Sequence, residues 1–519
     1  MPEANPAASL KLDRAARDAP SLAPLLVLGL LVLLTVGAIR VGDGNIPLAL
    51  APSLVAMLVV ALWLLPLRVP MLVLLGAAWA IEDPGSFFAS ELVTTPWKRV
   101  GEVLWGKLNN VVPFSPLVFT GFDVVALLLF GVVAYRQLRG STLDRSAEWV
   151  DTPRPLGAFI WLSVGAVAWM DLYGLARGGT FQAQLWQTNR WLYIPIVYAL
   201  MRQALRGGVD ARTVGKVVLG VGLFRAGEAI LIRRMFPSIE ELPHATTHAD
   251  SVLFSTCICI LVAILLEMRG RRISRLALLL LPVFIWAVVA NNRRLAFAQV
   301  AVGLLLMWFM TPWRPLKISV ARIVLAALPL MLIYVPLGWS SNSAIFAPVQ
   351  KVRSMTDSNV DGSTLWRELE NYDLVYTYEQ RPVLGSGFGH PFEEVIKGPD
   401  ILRVYVLEPY VPHNSVLGLW AFGGLLGFAV LWAMFPVGLL FTARCYRWAR
   451  TPLERVTALG AASVQVSYLM QGYGDLGFGT WGPVFTVATA YALVGKICIA
   501  NGAWGADKSR LAGLGGVRD

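Results

Sequence analysis

Charge is what this sequence has least of. Only 15% of its 519 residues are Asp, Glu, Lys or Arg, where a soluble globular chain carries about 25%. Residues 410–443 contain no charged side chain. A run that long and that apolar does not suit a surface helix and reads as membrane-spanning. Cysteine is equally scarce. Cys257, Cys259, Cys445 and Cys498 are the only four, and none falls in a segment expected outside, so no structural disulfide is expected. The first apolar run, residues 21–39, lacks an A-x-A cleavage pattern, so it is expected to stay as a span. No D-x-D motif stands in the segments expected outside, and no convincing repeat relates one half of the chain to the other.

What is present is apolar. Hydrophobic residues make up 56% of the chain, gathered in long charge-free runs. These runs predict an all-α polytopic membrane protein with about 14 transmembrane helices, within a range of 12–14. The weakest run, residues 69–81, is short enough to be re-entrant. Net charge is +11, from 44 Lys and Arg against 33 Asp and Glu. In a soluble protein that excess would suggest nucleic acid. Here it fits the basic cytoplasmic loops of a membrane protein, and no nucleic-acid partner is expected.

With the N-terminus inside, the basic clusters at Arg202–Arg206–Arg212–Lys216, Arg269–Arg271–Arg272–Arg275 and Arg444–Arg447–Arg450–Arg455 all fall on one side. The expected division is a cytoplasmic tail (1–20), an N-terminal bundle (21–201) and central helices with external arginines (202–339). A long periplasmic loop (340–413), C-terminal helices (414–500) and a cytoplasmic tail (501–519) follow. A loop as long as 340–413 is usually functional.

Several ionisable residues break these patterns. Arg190 interrupts a span. Arg225 and Glu228 lie within the next one, three residues apart and so on one helix face. Arg233 and Arg234 follow at its external end, and Arg293 and Arg294 occupy a short external connection. An ionisable group inside a span is a functional-site hypothesis by default. Arg225–Glu228 reads equally as a structural ion pair, and Arg233–Arg234 as a pair snorkelling to the interface. Arginines converging near the external surface would make a diphosphate site, because each offers a fixed fork of donors and keeps its charge. His413 stands at the mouth of a late span; it is either a polar helix-start residue or a group able to take a proton near neutral pH. His244 and His248 have H-x-x-x-H spacing, but the Glu of H-E-x-x-H is missing and the segment reads as a loop, so no metal and no cofactor are expected.

The stretch Arg381-Pro382-Val383-Leu384-Gly385-Ser386-Gly387-Phe388-Gly389, followed by His413-Asn414-Ser415-Val416-Leu417 and a Gly-rich span, resembles the O-antigen ligase and Wzy-type polymerase superfamily. The segment from Ser363 through Arg367 to Glu368 resembles the Arg-containing segment ahead of that family's glycine turn. Asn292-Arg293-Arg294-Leu295-Ala296 is similar to its S-R-x-A start of a span, with Asn-Arg-Arg in place of Ser-Arg. The stretch from Pro243-His244-Ala245 through Phe254 loosely resembles its H-P-x-x-A segment. The resemblance covers roughly the last 300 residues.

It implies a metal-independent, inverting glycosyltransferase of the bacterial inner membrane, with its site facing the periplasm. The donor would be a glycan on undecaprenyl diphosphate, and the acceptor a glycan or lipid A-core. His413 would be the catalytic base and Arg294 its catalytic partner. Arg190, Arg225, Arg293 and Arg367 would bind the diphosphate or substrate. Polymerase, ligase and protein-glycosylating roles stay open. A transporter or flippase for a lipid-linked saccharide is the competing class, and a non-catalytic membrane subunit the third.

Overall fold

The computed structural model describes residues 23–41, 46–81, 97–110, 119–140, 149–238, 242–270, 272–341, 343–346, 349–350, 352–353, 362–397, 407, 409–475 and 477–504. Among them it is all-helical, with no strand. The N-terminal helices are α1 (Ala23–Val41), α2 (Ile46–Leu64), α3 (Arg68–Ala80), α4 (Lys98–Leu104), α5 (Gly121–Leu138), α6 (Arg154–Ala176) and α7 (Phe181–Ala204). The central ones are α8 (Ala211–Met235), α9 (His248–Glu267), α10 (Arg272–Asn291), α11 (Arg294–Met310) and α12 (Pro315–Trp339). The last are α13 (Gly362–Gln380), α14 (Ser415–Trp432), α15 (Met434–Trp448), α16 (Pro452–Gly474) and α17 (Trp481–Ala500).

Seven described helices are long and apolar enough to cross a membrane by themselves, against the 14 spans expected. The rest are shorter apolar helices, such as α3 and α11, or more polar ones, such as α8 with its four arginines and one glutamate. The expected span at 414–441 is two helices, α14 and α15. The expected loop at 340–413 holds a 19-residue helix, α13. Its polar sequence gives no apolar run, so the hydropathy signal passes over it. Both chain termini lie outside the described residues, as do 82–96, 354–361 and 398–406.

The centre is α9, packed by α10, α11 and α16. It buries almost every side chain from Asp250 to Cys259. α17 is buried all round as well, whereas α12 buries none of its span and presents leucines, isoleucines and valines outward. Lipid tails are as apolar as leucine, so close approach of small residues does much of the packing. A Cβ on Gly303 of α11 would come 2.7 Å from Cys259 Sγ of α9.

The helices alternate in direction, so their ends collect at two faces. At one face Arg68 meets Asp210 at 2.6 Å, Arg202 forks onto both Asp151 oxygens at 2.6 Å, and Glu267 takes Arg314 and Arg455 at 3.1 and 2.8 Å. The described residues of the expected cytoplasmic clusters lie at this face. The opposite face carries the first residues of α7, α9, α11, α14 and α17 and the last of α6, α8, α10 and α16.

α14 is broken at Gly424, where φ is 57°. A break strands carbonyls before it and N–H groups after it. The glycine turn before it satisfies both sets. Ser386 and Gly387 N–H donate to Ala421 and Phe422 O at 3.1 and 2.8 Å, while Leu425 and Leu426 N–H donate to Pro382 and Val383 O at 2.8 and 3.1 Å. The turn can come that close because its glycines have no side chain to clash. Gly387 sits at φ 80°, and a Cβ there would lie 2.6 Å from Gly174 Cα of α6. The R-P-x-x-G-x-G-x-G stretch is therefore a splice in a broken helix, the same helix whose first residues follow His413.

Candidate functional site

His413 precedes Asn414, whose side-chain oxygen caps α14 by accepting from Leu417 N–H at 3.1 Å. Asn414 Nδ2 in turn donates to Asn371 Oδ1 of α13 at 2.9 Å. The imidazole is one-fifth exposed. Its Nδ1 lies 3.3 Å from Glu370 Oε1, and its backbone N–H donates to the same oxygen at 2.9 Å. A carboxylate only accepts, so this contact favours the tautomer with hydrogen on Nδ1 and puts the basic lone pair on Nε2. Trp366 packs edge-on against the ring, with centroids 4.6 Å apart.

α13 presents Trp366, Glu370, Asp373 and Thr377 along one face, at helical spacing. Asp373 Oδ1 accepts from Val395 and Ile396 N–H at 2.9 and 3.1 Å, and Thr377 Oγ1 from Glu393 N–H at 2.8 Å. This helix thereby holds both the segment that follows the glycine turn and the start of α14. Glu370 lies two residues beyond the Ser363–Glu368 segment that carries the resemblance. The signal that could have found it is this polar stripe at i, i+4, i+7 and i+11.

The second cluster gathers at the α10–α11 connection. Asn291 is fully buried and accepts from Thr246 N–H at 3.0 Å. Asn292 takes the left-handed conformation, φ 54°, which asparagine tolerates better than most residues. That turn aims Arg293 inward and begins α11 at Arg294. Arg293 is 4% exposed. It donates to Thr246 O at 3.0 Å and sets Nη1 2.7 Å from His248 Nε2. His248 pairs in turn with Asp475, the buried residue that ends α16. Burial pulls the Arg293 guanidinium down to about 10, offset by the Asp475 and Asp250 carboxylates, so it remains a cation at neutral pH. His244 nearby is pushed down to about 3, by burial first and then by the Arg293 charge, so it stays neutral there.

Arg225 is buried on α8 and fully engaged by carboxylates. It forks onto Asp250, Nε to Oδ1 at 3.0 Å and Nη2 to Oδ2 at 2.7 Å, and Nη1 reaches Glu228 at 2.6 Å. Asp250 Oδ2 also accepts from Thr247 N–H and Oγ1 at 3.0 and 2.9 Å, closing the capping box of α9. The ion pair weighed in the sequence is thus a triad that anchors the segment carrying His248. Arg233 donates to Ala290 and Leu242 carbonyls, both at 2.9 Å.

Arg367 is half-buried on α13, one turn before Glu370, and its charge acts on both Arg293 and His248. α13 therefore links the His413 end to the Arg293 end. Arg294 is the half-buried first residue of α11. Arg190 lies on α7, with its side chain outside the described residues. The H-x-x-x-H pair does not converge as metal ligands do. The rings are 6.3 Å apart, and His248 is held by a guanidinium and a carboxylate. Among the described residues no group of three His, Cys, Asp or Glu could hold a metal ion.

Residues 276–432 match a family model described as O-antigen ligase. The match runs from within α10 to the end of α14, under a third of the chain, and contains Arg293, Arg294, Arg367, Glu370, the glycine turn and His413. The resemblance read from the sequence is borne out over that segment. No curated protein matches the chain.

Proposed function

From an O-antigen ligase segment that holds His413, Arg293, Arg294 and Arg367, we propose a glycosyltransferase that polymerises or ligates glycans carried on undecaprenyl diphosphate. The single observation that carries this reading is the His413–Glu370 contact, on the helix that also brings Arg367 towards Arg293. His413 Nε2 takes the proton of the acceptor hydroxyl as its oxygen attacks the anomeric carbon. The bond from that carbon to the diphosphate oxygen breaks with inversion, and undecaprenyl diphosphate leaves. Glu370 holds the ring and offsets the charge the imidazole gains. Arg294, Arg367 and Arg190 meet the charge developing on the diphosphate, where preorganised donors act most strongly. Arg293 supports them from its buried place beside His248 and Asp475. The acceptor, glycan or lipid A-core, approaches from the same face.

Fixed arginines take the role a divalent ion has in many diphosphate-handling transferases. Transfer by the purified protein is therefore expected to survive EDTA. Complete loss restored by a divalent cation would overturn this mechanism and return attention to His244 and His248.

The site faces the periplasm of the inner membrane in this reading, supported by the basic clusters at the opposite face. The four native cysteines are buried, so a single cysteine at Ser358 should report alone. It is expected to react with an impermeant thiol reagent in intact spheroplasts. Labelling only after lysis would reverse the orientation.

A further inference from the structure

The half of the bundle remote from His413 contains a cavity of about 530 Å³ between α8, α9, α10, α16 and α17. That volume lies within the ~300–1,000 Å³ typical of ligand sites. It arises because α8 and α10 splay. At Gly222 they are tightly packed, and a Cβ there would come 2.6 Å from Cys257 Sγ and 3.1 Å from Phe284. Towards the start of α8 the gap opens, and a Cβ on Gly220 or Gly215 would meet nothing within 4 Å. The walls are aliphatic, with Leu219, Ile260, Ile264, Leu276, Val456 and Leu493 among them. Leu223 and Leu276 are exposed at its edges, so it faces outward between the two helices.

Its polar end is cationic. Arg212 and Lys216, one turn apart on α8, and Arg272, at the start of α10, line the mouth. All three are exposed, and none has a hydrogen bond or ion pair among the described residues. From Arg212 to Leu223 the slot runs along eleven residues, roughly 16 Å of helix. That is about half of a ~30 Å hydrocarbon core, the depth of one leaflet.

The geometry points to a binding site for one anionic phospholipid, its acyl chain in the slot and its phosphate among Arg212, Lys216 and Arg272. An aliphatic slot one leaflet deep selects a chain. Three unpaired cations at its mouth select a negative headgroup, and a zwitterionic one would bring a repelled positive charge to the same place. The slot is separate from the proposed transfer site, and the inference stands whichever reaction occurs there.

The test is native mass spectrometry of the full chain in detergent, titrated with dioleoylphosphatidylglycerol and, separately, with dioleoylphosphatidylcholine. The wild type is expected to retain one phosphatidylglycerol and to discard phosphatidylcholine. Replacing Arg212, Lys216 and Arg272 together by Gln should weaken phosphatidylglycerol binding on the order of a hundredfold. Gly215→Leu should lower its occupancy without loss of helix content, because its side chain grows into open space. Equal retention of the two lipids would overturn the site, as would unchanged phosphatidylglycerol binding in both variants.

Discussion

His413→Ala is expected to accumulate in the membrane at a near-normal level while transfer falls by about 10² to 10⁴, the usual effect of losing a general base. The imidazole is partly exposed at a helix start, and the cap of α14 is made by Asn414, so the fold survives its removal. Glu370 divides the roles further. Glu370→Gln keeps an acceptor beside Nδ1 but removes the charge that stabilises an imidazolium. It should lower kcat and leave donor affinity intact, because Glu370 acts on the base and not on the diphosphate. Near-normal output from His413→Ala in a cell lacking the native enzyme would remove the assigned base and favour a transporter.

Arg225→Leu is expected to fail differently, by loss of the protein itself. It would leave Asp250, 1% exposed, without its guanidinium. Breaking a buried pair by removing one partner costs about 3–5 kcal/mol. Asp250 also closes the cap of α9, so the damage should reach the His248 segment. Adding Asp250→Asn should restore part of the membrane level. Arg294→Lys should do the reverse, leaving the level near normal and damaging transfer, because an ammonium lacks the planar fork that grips a diphosphate. If Arg225→Leu accumulated normally and lost only donor binding, Arg225 would be a substrate ligand and the triad incidental.

The contrast between these arginines shows what the sequence could carry. The apolar runs reveal the helices because burial in lipid imposes them continuously along the chain. The Arg225–Glu228 spacing shows one partner because i and i+3 share a helix face. Asp250, the stronger partner, lies 25 residues away on the next helix and is brought in only by packing. Asn291 precedes Asn292, where the sequence departs from a Ser-Arg pattern. In three dimensions one satisfies a buried N–H and the other makes the left-handed turn that aims Arg293. α13 is the largest omission. Its residues are too polar for a hydropathy signal, yet Glu370 and Arg367 both lie on it. The glycine turn stood out in sequence, but its work is structural and depends on the break at Gly424, which no local pattern announces.

In the proposed function a glycosidic bond changes hands at the His413 face. Purified protein in liposomes, supplied with a defined glycan on undecaprenyl diphosphate, tests it most directly. Two products are measured together: free undecaprenyl diphosphate, and the anomeric configuration of the new linkage. The expected result is one lipid diphosphate released per linkage formed, with configuration inverted relative to the donor. Donor glycan that crosses the bilayer with its diphosphate bond intact would contradict the claim and identify a carrier.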